Sequence, residues 1–237
     1  MKKAEIINKI SIACAGVFVA AEIVLYSLFL AEDFGSASVG ENVWLKYSTV
    51  VLAFFFALIQ FAFLSNRRDY LDVILLTLGL ALTIVSDYFL LVEGEYYEIG
   101  VVTFIGAQLC YFARIKRNKV WLIVSIIARM VLAAVAIAVI CAVGYGEALY
   151  ILVAVYFVQL VGNFVENVIV AITAKNRAER IKAILLSIGF LLFIGCDICV
   201  GLMNLYGEAG EYIWLFYTPS QVLIALSCRR IYATESN

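Results

Sequence analysis

The chain has 237 residues, 65% of them hydrophobic and 15% charged, with one proline, no histidine and a formal net charge of −1. That much apolar surface exceeds what a soluble core can hide, so lipid is the expected solvent for most of it, and a soluble enzyme or nucleic-acid-binding domain is excluded. Without histidine the usual neutral-pH proton carrier and the commonest metal ligand are missing, so neither a metal nor another cofactor is expected.

Apolar runs fall at about residues 10–30, 43–64, 70–92, 98–115, 119–142, 148–174, 181–205 and 211–228. A bilayer crossing needs about 20 apolar residues as a helix, and barrel strands would be half as long and alternate strictly. The expectation is therefore an all-α polytopic bundle of eight transmembrane helices, a single unit over residues 1–237, multi-pass in the cell membrane.

Charges in the turns alternate in sign. Lys2, Lys3 and Lys9 precede the first run, and Glu32, Asp33 and Glu41 follow it. Arg67 and Arg68 come next, then Glu93, Glu95 and Glu98, then Arg114, Lys116, Arg117 and Lys119. Glu147 is followed by Lys175, Arg177, Arg180 and Lys182, then by Glu208 and Glu211, and Arg229 and Arg230 close the series. Lys and Arg mark cytoplasmic loops, so both termini are expected in the cytoplasm. Trp44, Trp121 and Trp214 near span ends read as interfacial anchors. The six cysteines, Cys196 and Cys199 among them, fall in apolar stretches and read as packing residues rather than a disulfide or metal set.

Glu22, Asp87, Arg129, Glu166 and Asp197 lie inside spans. A charge at mid-bilayer costs at least about 2.5–3.5 kcal/mol, so these groups must face the bundle interior, a wet cavity or one another. Arg129 is expected to pair with Glu22 or Glu166. Tyr156, Gln159, Asn163, Glu166 and Asn167 recur at helical spacing and draw a polar stripe along the sixth run, which either lines a cavity or knits helices together. Asp87 and Asp197 are the strongest functional candidates, because aspartate is too short to reach the interface. The order Asp87, Gln108, Tyr111 is echoed by Asp197, Tyr217, Gln221, which suggests a parallel four-plus-four repeat.

Taken in order, these residues resemble the YhhN-like lysoplasmalogenase family of eight-span membrane proteins. Lys46-Tyr47-Ser48-Thr49 is similar to that family's Lys-Pro-x-Thr segment, and it is followed by Arg68 and Asp69. Ser86-Asp87 through Leu90 is similar to its Gly-Asp-x-x-Leu element, and Gly100, Phe104, Gln108 and Tyr111 keep the spacing of Gly-x-x-x-Phe-x-x-x-His-x-x-Tyr. Phe193 to Asp197 and Tyr217 to Gln221 are similar to Phe-x-x-Ser-Asp and Tyr-x-x-Ala-Gln. The sequence departs from these patterns at Tyr47, Ser86 and Gln108.

The resemblance implies hydrolysis of the vinyl ether of a lysophospholipid; membrane lipids are the other expected partners, and short inner loops without a soluble domain argue against nucleic acid. That chemistry needs one carboxyl to deliver a proton to carbon and one carboxylate to stabilise the cation and activate water. Asp87 and Asp197 are the expected pair, with the roles open between them. Lys46, Gln108, Tyr111, Arg129, Tyr156, Asn163, Glu166, Tyr217 and Gln221 are the expected substrate-binding residues, Lys46 or Arg129 taking the phosphate. A proton-coupled transporter or flippase built on buried carboxylates is the main alternative. A non-catalytic lysolipid binder is the second.

Overall fold

A computed structural model describes residues 2–35, 42–62, 67–115, 117–207 and 209–228; Glu41, Lys116, Glu208, Arg229 and Arg230, and the side chains of Lys2, Lys3, Arg67, Arg68 and Asp69, lie outside that description. The described residues form helices α1 (Lys2–Gly35), α2 (Val43–Ala62), α3 (Arg67–Asp87), α4 (Tyr97–Ala113), α5 (Lys119–Ala142), α6 (Ala148–Thr173), α7 (Arg177–Tyr206) and α8 (Ile213–Leu226). A π-helical turn, Tyr88–Glu93, continues α3, and a 3₁₀ turn, Gly210–Tyr212, leads into α8. Among the described residues six segments are long and apolar enough to cross a membrane, whereas α4 and α8, with 17 and 14 residues, are shorter. This is a helical membrane bundle, as the composition requires.

Local chemistry sets several boundaries. Asn118 accepts from the Trp121 amide and starts α5, and Asn176 accepts from the amides of Ala178 and Glu179 and starts α7. Gly207 at φ +73° ends α7, a conformation that glycine takes without steric cost. Inside α8, Pro219 has no N–H to offer the carbonyl of Leu215. Tyr26 of α1 donates to that carbonyl at 2.9 Å, so the proline becomes an attachment point between α8 and α1.

Packing runs in a ring, α1 on α2, α2 on α3, α3 on α4, α4 on α6, α6 on α7 and α7 on α8, with α8 returning to α1 and α2. Neighbours in sequence are antiparallel: Asp33 meets Lys46 while Ser11 meets Gln60, and Ser86 meets Gly100 while Asp72 meets Arg114. One end of the bundle therefore carries the α1–α2, α3–α4, α5–α6 and α7–α8 connections with Glu93, Glu95 and Glu147. The other carries Arg114, Arg117, Lys119, Lys175, Arg177, Arg180 and Lys182.

Helix α5 stands outside the ring and packs mainly on α6, with its buried residue Arg129 reaching over the Phe112 ring of α4 at 4.3 Å. Helices approach closely where glycine allows it. At Gly79 a Cβ would stand 2.5 Å from Cε1 of Tyr111, whose ring is itself held against Phe190. Gly79→Ala is expected to cost about 1–3 kcal/mol through overpacking, read as a lowered Tm in detergent.

Two expectations change here. Trp44 and Trp121 are exposed, but Trp214 is buried, edge-on to both Phe29 and Tyr217, because the 3₁₀ turn carries the start of α8 inward. The four-plus-four echo is not matched by the pairing of its residues. Asp87 meets Tyr217 of α8, whereas Asp197 meets Tyr156 of α6 rather than Tyr111 of α4.

Candidate functional site

Two tyrosine–aspartate pairs define the site. Tyr217 donates to Asp87 Oδ2 at 2.6 Å, and Tyr156 donates to Asp197 Oδ2 at 2.8 Å. The ring of Phe193 lies between them, 5.3 Å from Tyr217 and 6.4 Å from Tyr156, with Phe104 edge-on to Phe193 at 5.6 Å. Both carboxylates are within electrostatic reach of the Tyr156 hydroxyl. Asp87 is buried and Asp197 is partly exposed, so the two acids, whose tyrosines both pack on the Phe193 ring, occupy different surroundings.

The backbone around Asp87 is unusual. Directly after it the helix widens into the π turn, whose last amide bond runs from Gly94 N–H to the Phe89 carbonyl at 3.0 Å, with Gly94 at φ +71°. Such widened turns recur at functional sites, where they aim a side chain that a regular helix would misdirect. Contacts with neighbouring helices hold the break in place. Ser86 donates to the Gly100 carbonyl at 2.6 Å, Tyr47 donates to the Ile84 carbonyl at 3.3 Å, and Leu90 fills the space that a side chain at Gly100 would take. Tyr47 and Ser86, two of the departures from the family pattern, thus both donate to backbone carbonyls close to Asp87.

Lys46 adjoins the first pair. Its ammonium group lies 5.9 Å from the Trp214 ring, which is 5.1 Å from Tyr217. It is also 2.8 Å from Asp33, and Asn42 donates to the same oxygen at 3.1 Å. The Lys46 charge is answered inside the protein, by an acid that the sequence pattern assigned to an outer loop. Being four residues on from Phe29 was the available sign that Asp33 shares the buried face of α1.

Arg129 and Glu166 belong to a different cluster. Glu166 takes Arg117, Arg129 and Ser125 together, with Arg129 Nη2 at 2.6 Å. Arg129 also donates to Gln159 Oε1 at 2.7 Å, to the Gln159 carbonyl at 3.0 Å and to Asn163 Oδ1 at 3.0 Å. The polar stripe of α6 therefore divides. Tyr156 serves the aspartate pair, while Gln159, Asn163 and Glu166 bind α4, α5 and α6 to one another.

Gln108 receives Asn163 Nδ2 at 2.8 Å and lies, with Tyr111 and Gln221, deeper in the core than the aspartates. A further ionic cluster closes the basic end. Asp72 binds Arg114 at 3.1 Å and also Lys182, and Arg114 reaches Ser227 Oγ, just past the end of α8, at 3.1 Å. Asp72 could have been suspected from its place in an apolar run beside the span end. Nothing in the sequence names its partners on α4 and α7.

No curated protein and no solved structure matches the chain. Residues 41–228 match the YhhN family, a stretch that takes in Lys46, both aspartates, both tyrosines and every helix except α1. The chain is therefore a member of the YhhN family, and its two Tyr–Asp pairs lie within the matched region.

Proposed function

We propose that the protein is a membrane hydrolase that cleaves the vinyl ether bond of a lysophospholipid, with Asp87 and Asp197 as the reacting carboxyls. The observation that carries the reading is the pairing of two carboxyls, each on its own tyrosine, with both tyrosines packed on one aromatic ring. One carboxyl delivers its proton to the alkene carbon remote from oxygen, leaving an oxocarbenium ion. The other, as carboxylate, faces that cation and takes a proton from the water that adds to it. The hemiacetal then collapses, its hydroxyl giving a proton to the first carboxylate as the second carboxyl protonates the departing oxygen, so that a fatty aldehyde and a glycerophospho-alcohol form, one water is consumed and both carboxyls return to their starting states. Different surroundings are what allow two carboxyls to divide such roles. The phenol of Tyr156 or Tyr217 keeps each acid oriented, and the phenyl rings between them suit a flat alkenyl group. In this reading the basic end of the bundle, with both termini, faces the cytoplasm.

Aldehyde release from a defined alkenyl lysophospholipid by the purified protein in detergent tests it. Aldehyde formed in step with glycerophospho-alcohol is the expected result. A thermally folded sample that releases none, over several head groups and pH values, would overturn the reading. One observation favours a transporter instead, namely the interruption of α3 at Asp87, since broken helices line many substrate paths. Uptake of intact lysolipid into sealed vesicles without aldehyde release would select that alternative.

A further inference from the structure

Among the described residues nine buried side-chain atoms have no hydrogen-bond partner, and the six on the most deeply buried residues lie on α1, α4 and α8. They are both carboxyl oxygens of Glu22, Gln108 Nε2, Thr218 Oγ1, Gln221 Oε1 and Tyr111 Oη, which has the Thr83 hydroxyl of α3 near it but not in hydrogen-bond geometry. None of the five residues exceeds 3% exposure. A buried polar group left unpaired is destabilising, so six together would weigh heavily against the fold.

These atoms share one layer. On α4 and α8 two fixed points set the register: Phe104 and Tyr217 both meet the Phe193 ring, and Arg114 meets Ser227. The same number of residues separates these points on both helices. Gln108 and Gln221, each one turn in from the first point, therefore stand at the same depth, with Tyr111 one turn further along α4. On α1 and α8 the fixed point is Tyr26 on the Leu215 carbonyl, and one turn inward from it come Glu22 and Thr218. Thr218 and Gln221 are neighbours on α8, so the layer reaches from α1 along α8, with Gln108 of α4 at the depth of Gln221 and Tyr111 a turn beyond.

The orientation of Gln108 follows from a chain of constraints. The Arg129 guanidinium can only donate, so Asn163 must turn Oδ1 towards it and Nδ2 towards Gln108. Gln108 must then accept through Oε1, which leaves Nε2 as an unpaired donor. Gln221 Oε1 and the Glu22 carboxyl offer acceptors, and the two hydroxyls serve either way. A free cation would be repelled by the amide donor and a free anion by the Glu22 carboxyl. Water matches both kinds of group.

We propose that Glu22, Gln108, Tyr111, Thr218 and Gln221 form a binding site for ordered water under the aspartate pair, a store of the second substrate inside the membrane. The role as second substrate rests on the hydrolase reading, but the binding of water does not.

Radiolytic hydroxyl labelling of the detergent-solubilised protein tests the site, because buried side chains react only beside bound water. Tyr111 is expected to be oxidised at least tenfold faster, after correction for intrinsic reactivity, than the equally buried Leu160 and Leu186. Gln221→Leu is expected to slow Tyr111 oxidation several-fold and to leave Tm unchanged or lowered. Tyr111 reacting as slowly as the two leucines would overturn the proposal. So would a rise in Tm for Gln221→Leu, the mark of an unpaired acceptor removed from a dry core. Should that variant not fold, the wild-type comparison decides alone. Since labelling uses no substrate, rapid Tyr111 oxidation without aldehyde release would sink the hydrolase reading and leave the water site standing. Aldehyde release with an inert Tyr111 would do the reverse.

Discussion

Replacement of Asp87 or Asp197 by asparagine is expected to lower the rate of aldehyde release by about 10²–10⁴-fold each, the range for loss of a positioned proton donor or acceptor. Asparagine keeps the size of the side chain and can still accept from Tyr217 or Tyr156, so the hydrogen bonds at 2.6 and 2.8 Å need not be lost and Tm should hold. The double variant should be little worse than the worse single one, because both carboxyls serve the same transition state. Initial rates and thermal unfolding on the same preparations provide the check. Full activity in either variant would remove that residue from the chemistry. A Tm that fell in parallel with the rate would instead mark a structural role.

The largest expected effect on stability lies at Glu166. This carboxylate lies between Arg117 and Arg129, and Glu166→Gln leaves two guanidiniums facing one another in a largely buried place. Removing one partner of a buried ion pair typically costs about 3–5 kcal/mol, because the remaining charge stays desolvated. Arg129 is the buried residue of α5, so the loss should appear first as loosening of that helix, with protease cleavage between α4 and α5 or between α5 and α6. Arg129→Met combined with Glu166→Gln should be milder than Glu166→Gln alone, since it also removes one of the stranded charges. Thermal denaturation of the three proteins distinguishes this from a role in holding the substrate phosphate. In that case Arg129→Met would raise KM while leaving Tm in place.

The positions of the helices were legible because hydrophobic runs in lipid have few alternatives. The expected runs 119–142 and 148–174 coincide with α5 and α6 within a residue, and 43–64 with α2 within two. The third run was less legible. The widening at Tyr88–Glu93 depends on contacts from Tyr47 and on Ser86 bonding the backbone of α4, and no local signal such as proline announces it.

For the site, the sequence by itself determined which groups could not face lipid: Glu22, Asp87, Arg129, Glu166 and Asp197, whose desolvation in hydrocarbon is too costly to bear. It also determined the family pattern along α2 to α8. Only the tertiary structure decided how these groups are shared out. Arg129 went to Glu166 rather than Glu22, Lys46 to Asp33, and each aspartate to a tyrosine on a different helix. Glu22, Thr218, Gln108, Tyr111 and Gln221 were left with buried polar atoms that no hydrogen bond among the described residues satisfies. The physical reason is that the penalty for burying a polar group is a property of the residue and its surroundings in the chain. Its relief is a property of whichever side chain the packing of distant helices brings within hydrogen-bond reach.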